Sequence, residues 1–186
     1  MKTGVRALGI AESYRGSSST LGGAVVRASR VVDGFVFGRC TVGGSDATAA
    51  VVEMVDRLDR ADVRYLCCSG IALAWFNVLD LYRLHDETGL PVLSISYEAS
   101  PGLETAIREA FDDPDTVADR LATYEAQPAR RRLTVNDESV YVRSVGIDDG
   151  EADDVIHAFT PEGGRPEPLR VARLAASAAD EFGRSA

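Results

Sequence analysis

Apolar and polar positions along this chain fall into short blocks that predict an alternation of strands and helices. Val5 to Ile10 is a short, mostly apolar run and predicts a buried strand. Tyr14 to Thr20 is rich in Ser, Gly and Arg and reads as a flexible connection. Leu21 to Ala28 predicts a second strand, and Phe35 to Val42, which alternates, a third. Three strands joined by short links predict an antiparallel meander. Gly43-Gly44-Ser45-Asp46 then breaks the pattern, and Ser45 or Asp46 caps a helix with Ala50, Val51, Met54, Val55 and Leu58 on its apolar face.

Val63 to Cys68 predicts a central fourth strand, and Pro91 to Ser96 a fifth. Between them, Ile71 to His85 carries Leu73, Phe76, Leu79, Leu81 and Leu84, a spacing that reads as mostly helical, ended by Gly89. Two helices, Leu103 to Phe111 and Pro114 to Tyr124, follow. Two late strands, Arg130 to Val135 and Ser139 to Val145, then precede helices at Gly150 to Ala158 and Leu169 to Phe182. No repeat or linker interrupts residues 1–186, so one domain is expected. The order βββαβαβα is the pattern of a ribonuclease H-like α/β fold, a mixed sheet whose first three strands are antiparallel, flanked by helices.

Composition narrows the function classes. The chain has 29 acidic and 20 basic residues, a net charge of −9, and one lysine, Lys2. That balance counts against indiscriminate nucleic-acid binding but leaves room for a local basic groove. Acid-rich, lysine-poor surfaces also suit a salt-rich interior; a base-rich genome, which favours arginine over lysine, is the other reading. Three cysteines, Cys40, Cys67 and Cys68, make no disulfide framework and point to a reducing cytoplasm. No apolar run is long enough to span a membrane.

Candidate chemistry is sparse. His85 and His157 are the only histidines, each in a predicted helix, which disfavours a Ser-His-Asp hydrolase. Adjacent Cys67 and Cys68 point to opposite faces of a strand, which disfavours a zinc site. Gly43-Gly44-Ser45 forms a turn into a helix that either merely turns the chain or offers backbone amides to a phosphate. Glu12 and Asp46 follow the first and third strands, where two carboxylates of a ribonuclease H-like sheet converge and can share a divalent ion; the simpler readings are a helix cap and a solvated side chain. Arg130-Arg131-Arg132 either touches phosphate or lies along a solvated edge. Trp75, Phe76 and Asn77 either stack on and read a base or pack beneath a helix.

The blocks Leu8-Gly9-Ile10-Ala11-Glu12-Ser13, Val32-Asp33-Gly34-Phe35, Thr41-Val42-Gly43-Gly44-Ser45-Asp46-Ala47-Thr48 and Gly70-Ile71-Ala72-Leu73-Ala74-Trp75-Phe76-Asn77-Val78-Leu79-Asp80 resemble the archaeal endonuclease dU family, a distant relative of endonuclease V. The Pro166-Glu167-Pro168 helix start resembles both groups. The resemblance implies an endonuclease V-like domain that cleaves DNA at deoxyuridine, using Mg²⁺ or Mn²⁺ held by Glu12 and Asp46. The third carboxylate of endonuclease V falls at Ser69, which carries no charge, and its lysine at Tyr97 or Glu98. Its histidine falls at Ile147. Glu98 then stands in as a third carboxylate, Tyr97, Trp75 and Asn77 contact substrate, and Gly43 and Gly44 let the DNA backbone approach; Asp80 is a weaker candidate for the site. The alternative is a DNA-binding or regulatory protein that kept the fold and lost catalysis. The oligomeric state is open between monomer and homodimer.

Overall fold

The computed structural model describes residues 1–185. The chain runs β1 (Arg6–Tyr14), β2 (Ser18–Arg27), β3 (Val32–Thr41), α1 (Ala47–Leu58), β4 (Val63–Ser69), β5 (Ala72–Leu73), β6 (Asn77–Val78), α2 (Leu81–Thr88) and β7 (Val92–Ser96). It continues through α3 (Glu104–Ala110), α4 (Pro114–Glu125), β8 (Arg131–Val135), β9 (Glu138–Val145), α5 (Asp149–Phe159) and α6 (Glu167–Ser185). Seven strands form one sheet in the order β3-β2-β1-β4-β7-β9-β8, and β5 pairs with β6 in a separate hairpin. The first three strands are antiparallel, as the meander predicts. β1, β4 and β7 are mutually parallel, and β9 and β8 return antiparallel.

Alternate side chains of the central strands feed two cores, as the period of two requires. Leu8, Ile10, Leu66, Cys68 and Val92 pack beneath α1 and α2 with Val51, Met54, Leu81 and Leu84. Ala7, Cys67, Leu93 and Ile95 pack on the other face with Ile156, Phe159 and Leu169 of α5 and α6. Cys67 and Cys68 therefore do point to opposite faces, and all three cysteines are free and buried. Among the described residues no helix is long and apolar enough to cross a membrane.

Two stretches depart from the sequence pattern. The connection at Tyr14 to Thr20 is a tight hairpin: strand pairing continues to Tyr14 opposite Ser19, and Gly16 turns at φ +86°. Ile71 to His85 is not mostly helix. Ala72 to Val78 is the β5–β6 hairpin, and only Leu81–Thr88 is helical. The apolar spacing of Leu73, Phe76 and Leu79 imitates a helical face, but the tip of the hairpin is left-handed and Asn77 is buried in a polar network, described below.

Helix α6 lies directly on β1 and β2 because glycines there leave room for backbone. A Cβ on Gly9 would collide with the Pro168 carbonyl and sit 2.8 Å from the Leu169 nitrogen, and one on Gly22 would sit 2.6 Å from the Ala172 carbonyl oxygen. Backbone cannot rotate aside as a side chain can. Gly9→Ala is therefore expected to cost about 1–3 kcal/mol through overpacking, read as a lower urea midpoint. Gly4→Ala, where an added Cβ meets nothing within 4 Å, is the neutral control. Equal midpoints would show that the close approach does not hold the helix in place.

Candidate active site

The carboxyl ends of β1, β4 and β7 open on one edge of the sheet, beside a cavity of about 390 Å³. β1 carries Glu12 to its wall, β7 contributes Ser94 and Ser96 by alternation, and Glu98 follows just beyond its end. β9 supplies Tyr141 and Arg143. The β5–β6 hairpin closes the side with Trp75 and Phe76.

Glu12 is half-buried and held. Its Oε2 accepts a hydrogen bond from the buried Ser19 hydroxyl at 2.9 Å and from the Ala74 backbone N–H at 2.7 Å. Ala74 begins a left-handed run: Ala74, Trp75 and Phe76 have φ of +42°, +61° and +58°. Each such residue costs about 1–2 kcal/mol for an L-amino acid, so neighbouring contacts must over-determine the turn. They do: Gly43 N–H donates to the Ala74 carbonyl at 2.7 Å, and Leu73 pairs with Asn77. The turn leaves Trp75 52% exposed at the cavity mouth, edge-on to Phe76, which meets Phe111.

The Asp46 carboxylate is engaged within its own turn. It occupies the N-cap position of α1 but makes no capping bond. Its carboxylate turns back to accept from Thr41 N–H at 3.0 and 3.1 Å, the Thr41 hydroxyl at 2.9 Å and the Asn77 amide at 2.7 Å. Burial pushes its pKa up, but the bonds from Thr41 and Asn77 outweigh that and hold it below the ordinary carboxylate value. Asn77, fully buried, caps α1 in its place: Oδ1 accepts from Ala47 N–H at 3.0 Å, and Nδ2 also donates to the Thr41 carbonyl at 2.9 Å. Both ends of the amide are committed, so Asn77 positions Asp46 and the hairpin and does not face a base. Burial, then the charges of Asp46 and Glu12, push the Cys40 thiol up to about 12, which keeps it neutral between the two carboxylates.

Other expected residues lie elsewhere. The Gly43 and Gly44 amides donate to the Ala74 and Thr41 carbonyls, so they are not free for phosphate. Their own carbonyls accept from Arg120, which stacks on Phe111. Gly43 serves a left-handed turn at φ +68°, and at Gly44 an added Cβ would sit 2.7 Å from Thr41 Cβ. Ser69 is opposite Ile95 in the ladder and so shares the α5–α6 face, whereas Glu12 shares the face of Ile10. Tyr97 alternates away from the cavity, under Arg165, its hydroxyl without a partner and pushed up by burial. Ile147 follows β9 at the opposite end of the sheet, since Val145 pairs with Val92. Asp80 caps α2 by accepting from Arg83 N–H. The arginine run divides: Arg130 lines the cavity, Arg131 pairs with Asp149 and Asp153, and Arg132 bonds Ser139.

Three cavity residues, Arg143, Tyr141 and Tyr124, are absent from the candidates that the sequence suggests. The signal for the first is that Arg143 shares its face of β9 with Val145, which is buried in one core, while Val140 and Val142 fill the other.

The donor set fits a divalent ion in part. Glu12 offers a positioned carboxylate, whereas the acceptors of Asp46 are filled. Among the described residues no three His, Cys, Asp or Glu side chains group as a metal site. Mg²⁺ commonly takes one or two carboxylates together with waters and substrate phosphate, which is the arrangement Glu12 suits.

The family described as Endonuclease dU matches residues 3–180. The UPF0215 protein TK2033 of Thermococcus kodakarensis is 37% identical over 158 residues, covering 84% of this chain and 78% of its own. A protein of unknown function from Archaeoglobus fulgidus superposes with a TM-score of 0.82 at 27% identity, covering 94% of this chain and 97% of its own. Endonuclease V of Ciona intestinalis, solved with a 24mer DNA containing an inosine, superposes with a TM-score of 0.62 at 10% identity, covering 95% of this chain and 86% of its own. The fold is thus the endonuclease V-like, ribonuclease H-like sheet.

Asn77→Leu removes the partner of the buried Ala47 N–H and one donor to Asp46, and is expected to cost about 1–3 kcal/mol. Because Asp46 is held below its unfolded pKa of about 4, its contribution is present above that pH and fades as pH falls through the folded value. The urea midpoint should drop less steeply below pH 4 in Asn77→Leu than in the wild type. Parallel acid profiles would contradict this role.

Proposed function

The chain belongs to the endonuclease dU family, and on that premise we propose that it hydrolyses a phosphodiester of DNA close to a deoxyuridine, with Mg²⁺ or Mn²⁺ as cofactor. One observation carries the reading: Glu12, held by two hydrogen bonds, stands at the wall of a half-open cavity whose mouth bears the exposed aromatics Tyr14 and Trp75. A carboxylate beside stacking surfaces is what cutting next to an unstacked base requires.

Glu12 would hold the ion and orient water for in-line attack, its free oxygen directed by the bonds on Oε2. When bound, the ion supplies Lewis acidity to the phosphodiester and a more acidic water. Trp75 and Tyr14 offer faces to flanking bases. Glu98, exposed on the far side of the same cavity, supplies a second carboxylate. The excess of acidic groups fits a cytoplasm rich in salt, where counter-ions mask repulsion of DNA.

A second reading rests on Asp46. With its acceptors filled and Ser69 on the far face, the site retains fewer ligands than a three-carboxylate nuclease. A DNA-binding or regulatory protein without catalysis is then the alternative.

Labelled oligonucleotides with one deoxyuridine, one deoxyinosine or neither test both readings, with Mg²⁺, Mn²⁺ or EDTA, from low to molar KCl. The expected outcome is metal-dependent cleavage of the deoxyuridine strand, strongest at high salt, and reduced in Glu12→Gln by about 10²-fold or more. Binding without cleavage at any salt, from folded protein, supports the second reading. Glu98→Gln should lower cleavage with the same substrate preference; unchanged cleavage would remove Glu98 from the site.

A further inference from the structure

The cavity contains a cation that the chemistry above does not use. Arg143, on β9, is 8% exposed and lies across the ladder from Ser94, 3% exposed, and both line the cavity. Its guanidinium donates to the Pro128 carbonyl and, at 3.0 Å, to the Tyr124 hydroxyl. Its centre lies 4.9 Å from the Tyr124 ring centroid. Buried Nε has no hydrogen-bond partner, and among the described residues no carboxylate forms an ion pair with Arg143. A buried cation with an unmet N–H and no counter-charge is costly to retain. Arg131 also has a buried Nε without a hydrogen-bond partner but is neutralised by two aspartates, and Arg130 bonds the Glu98 and Ser100 carbonyls; what sets Arg143 apart is burial in the cavity wall without a carboxylate.

We infer that Arg143 is the specificity-determining residue of the cavity, reading a carbonyl oxygen on the edge of an extrahelical base. The inference rests on the DNA reading above and names the base chemistry that the site accepts. The walls include the apolar side chains of Ile71 and Leu103 and the rings of Phe76 and Tyr124, which suits a heteroaromatic ring. The volume of about 390 Å³ lies in the range of small-ligand sites. A guanidinium has only donors. It accepts a ring whose edge carries a carbonyl and sets N–H against N–H when that carbonyl is an exocyclic amine. Uracil carries O4 and N3–H where cytosine carries an exocyclic amine and a bare N3, and both keep O2, so a donor-only side chain set against position 4 separates a deaminated base from its parent.

The test that does not depend on cleavage follows the Arg143 Nε–H resonance of ¹⁵N-labelled wild-type protein, assigned by its disappearance in Arg143→Lys. Titration with 2′-deoxyuridine should shift it, and titration with 2′-deoxycytidine should not. No shift with either nucleoside, or equal shifts with both, overturns the inference. In the oligonucleotide assay, Arg143→Met should lose at least about tenfold of the preference for deoxyuridine over deoxycytidine strands. Cleavage by a protein whose Nε–H stays silent retires Arg143 and keeps the nuclease. An Nε–H that responds to deoxyuridine in a protein that cuts nothing keeps the base pocket and retires the nuclease.

Discussion

A left-handed turn of three ordinary residues cannot persist by itself, and this one is fastened at both ends by carboxylates. Glu12 takes the Ala74 N–H at one end, and Asp46 takes the Asn77 amide at the other. The two carboxylates come from β1 and from the start of α1, so the hairpin between β4 and α2 is tied to both sides of the sheet edge. Its tip then has one place to go, and Trp75 projects at the mouth of the cavity. The geometry of the site depends on that pair of attachments. Cys40 lies between them and, kept neutral by burial and by their charge, adds no competing nucleophile.

This arrangement explains why two acidic residues of similar position have diverged in role. Glu12 commits one oxygen, Oε2, to Ser19 and the hairpin, and the carboxylate stands at the cavity wall. Asp46 uses both oxygens for structure, and the depressed pKa reports the bonds that consume them. The two remaining carboxylates at the cavity, Glu12 and Glu98, come from parallel strands β1 and just beyond β7, with β4 between them. The cavity carboxylates are thus spread along the sheet edge.

The strands are legible in the sequence because burial on both faces produces continuous apolar runs, and the parallel core at Val63 to Cys68 and Val92 to Ser96 reads directly. The meander is legible from its short links. The hairpin at Ala72 to Val78 is not, because its aromatic and aliphatic residues repeat at near-helical spacing while hydrogen bonds to distant Glu12 and Gly43 decide its hand. Asn77 stands out as a chemical residue but not as the cap of α1, since a partner 30 positions away leaves no local pattern. Ser69 and Tyr97 fall at strand ends when aligned with endonuclease V, and the period of two then turns both away from the cavity. Arg143 is easily passed over, because it lies on the face of β9 opposite Val140 and Val142 and is covered by Pro128 and Tyr124, which are distant in sequence.

If Glu12 and the cavity behind it form one DNA site, a crystal structure of Glu12→Gln with a deoxyuridine oligonucleotide will show it most directly. The expected structure has a uracil ring inside the cavity, a neighbouring base against Trp75, and a phosphate beside the substituted side chain at position 12. DNA bound on another surface, with the cavity left to solvent, would contradict a shared site.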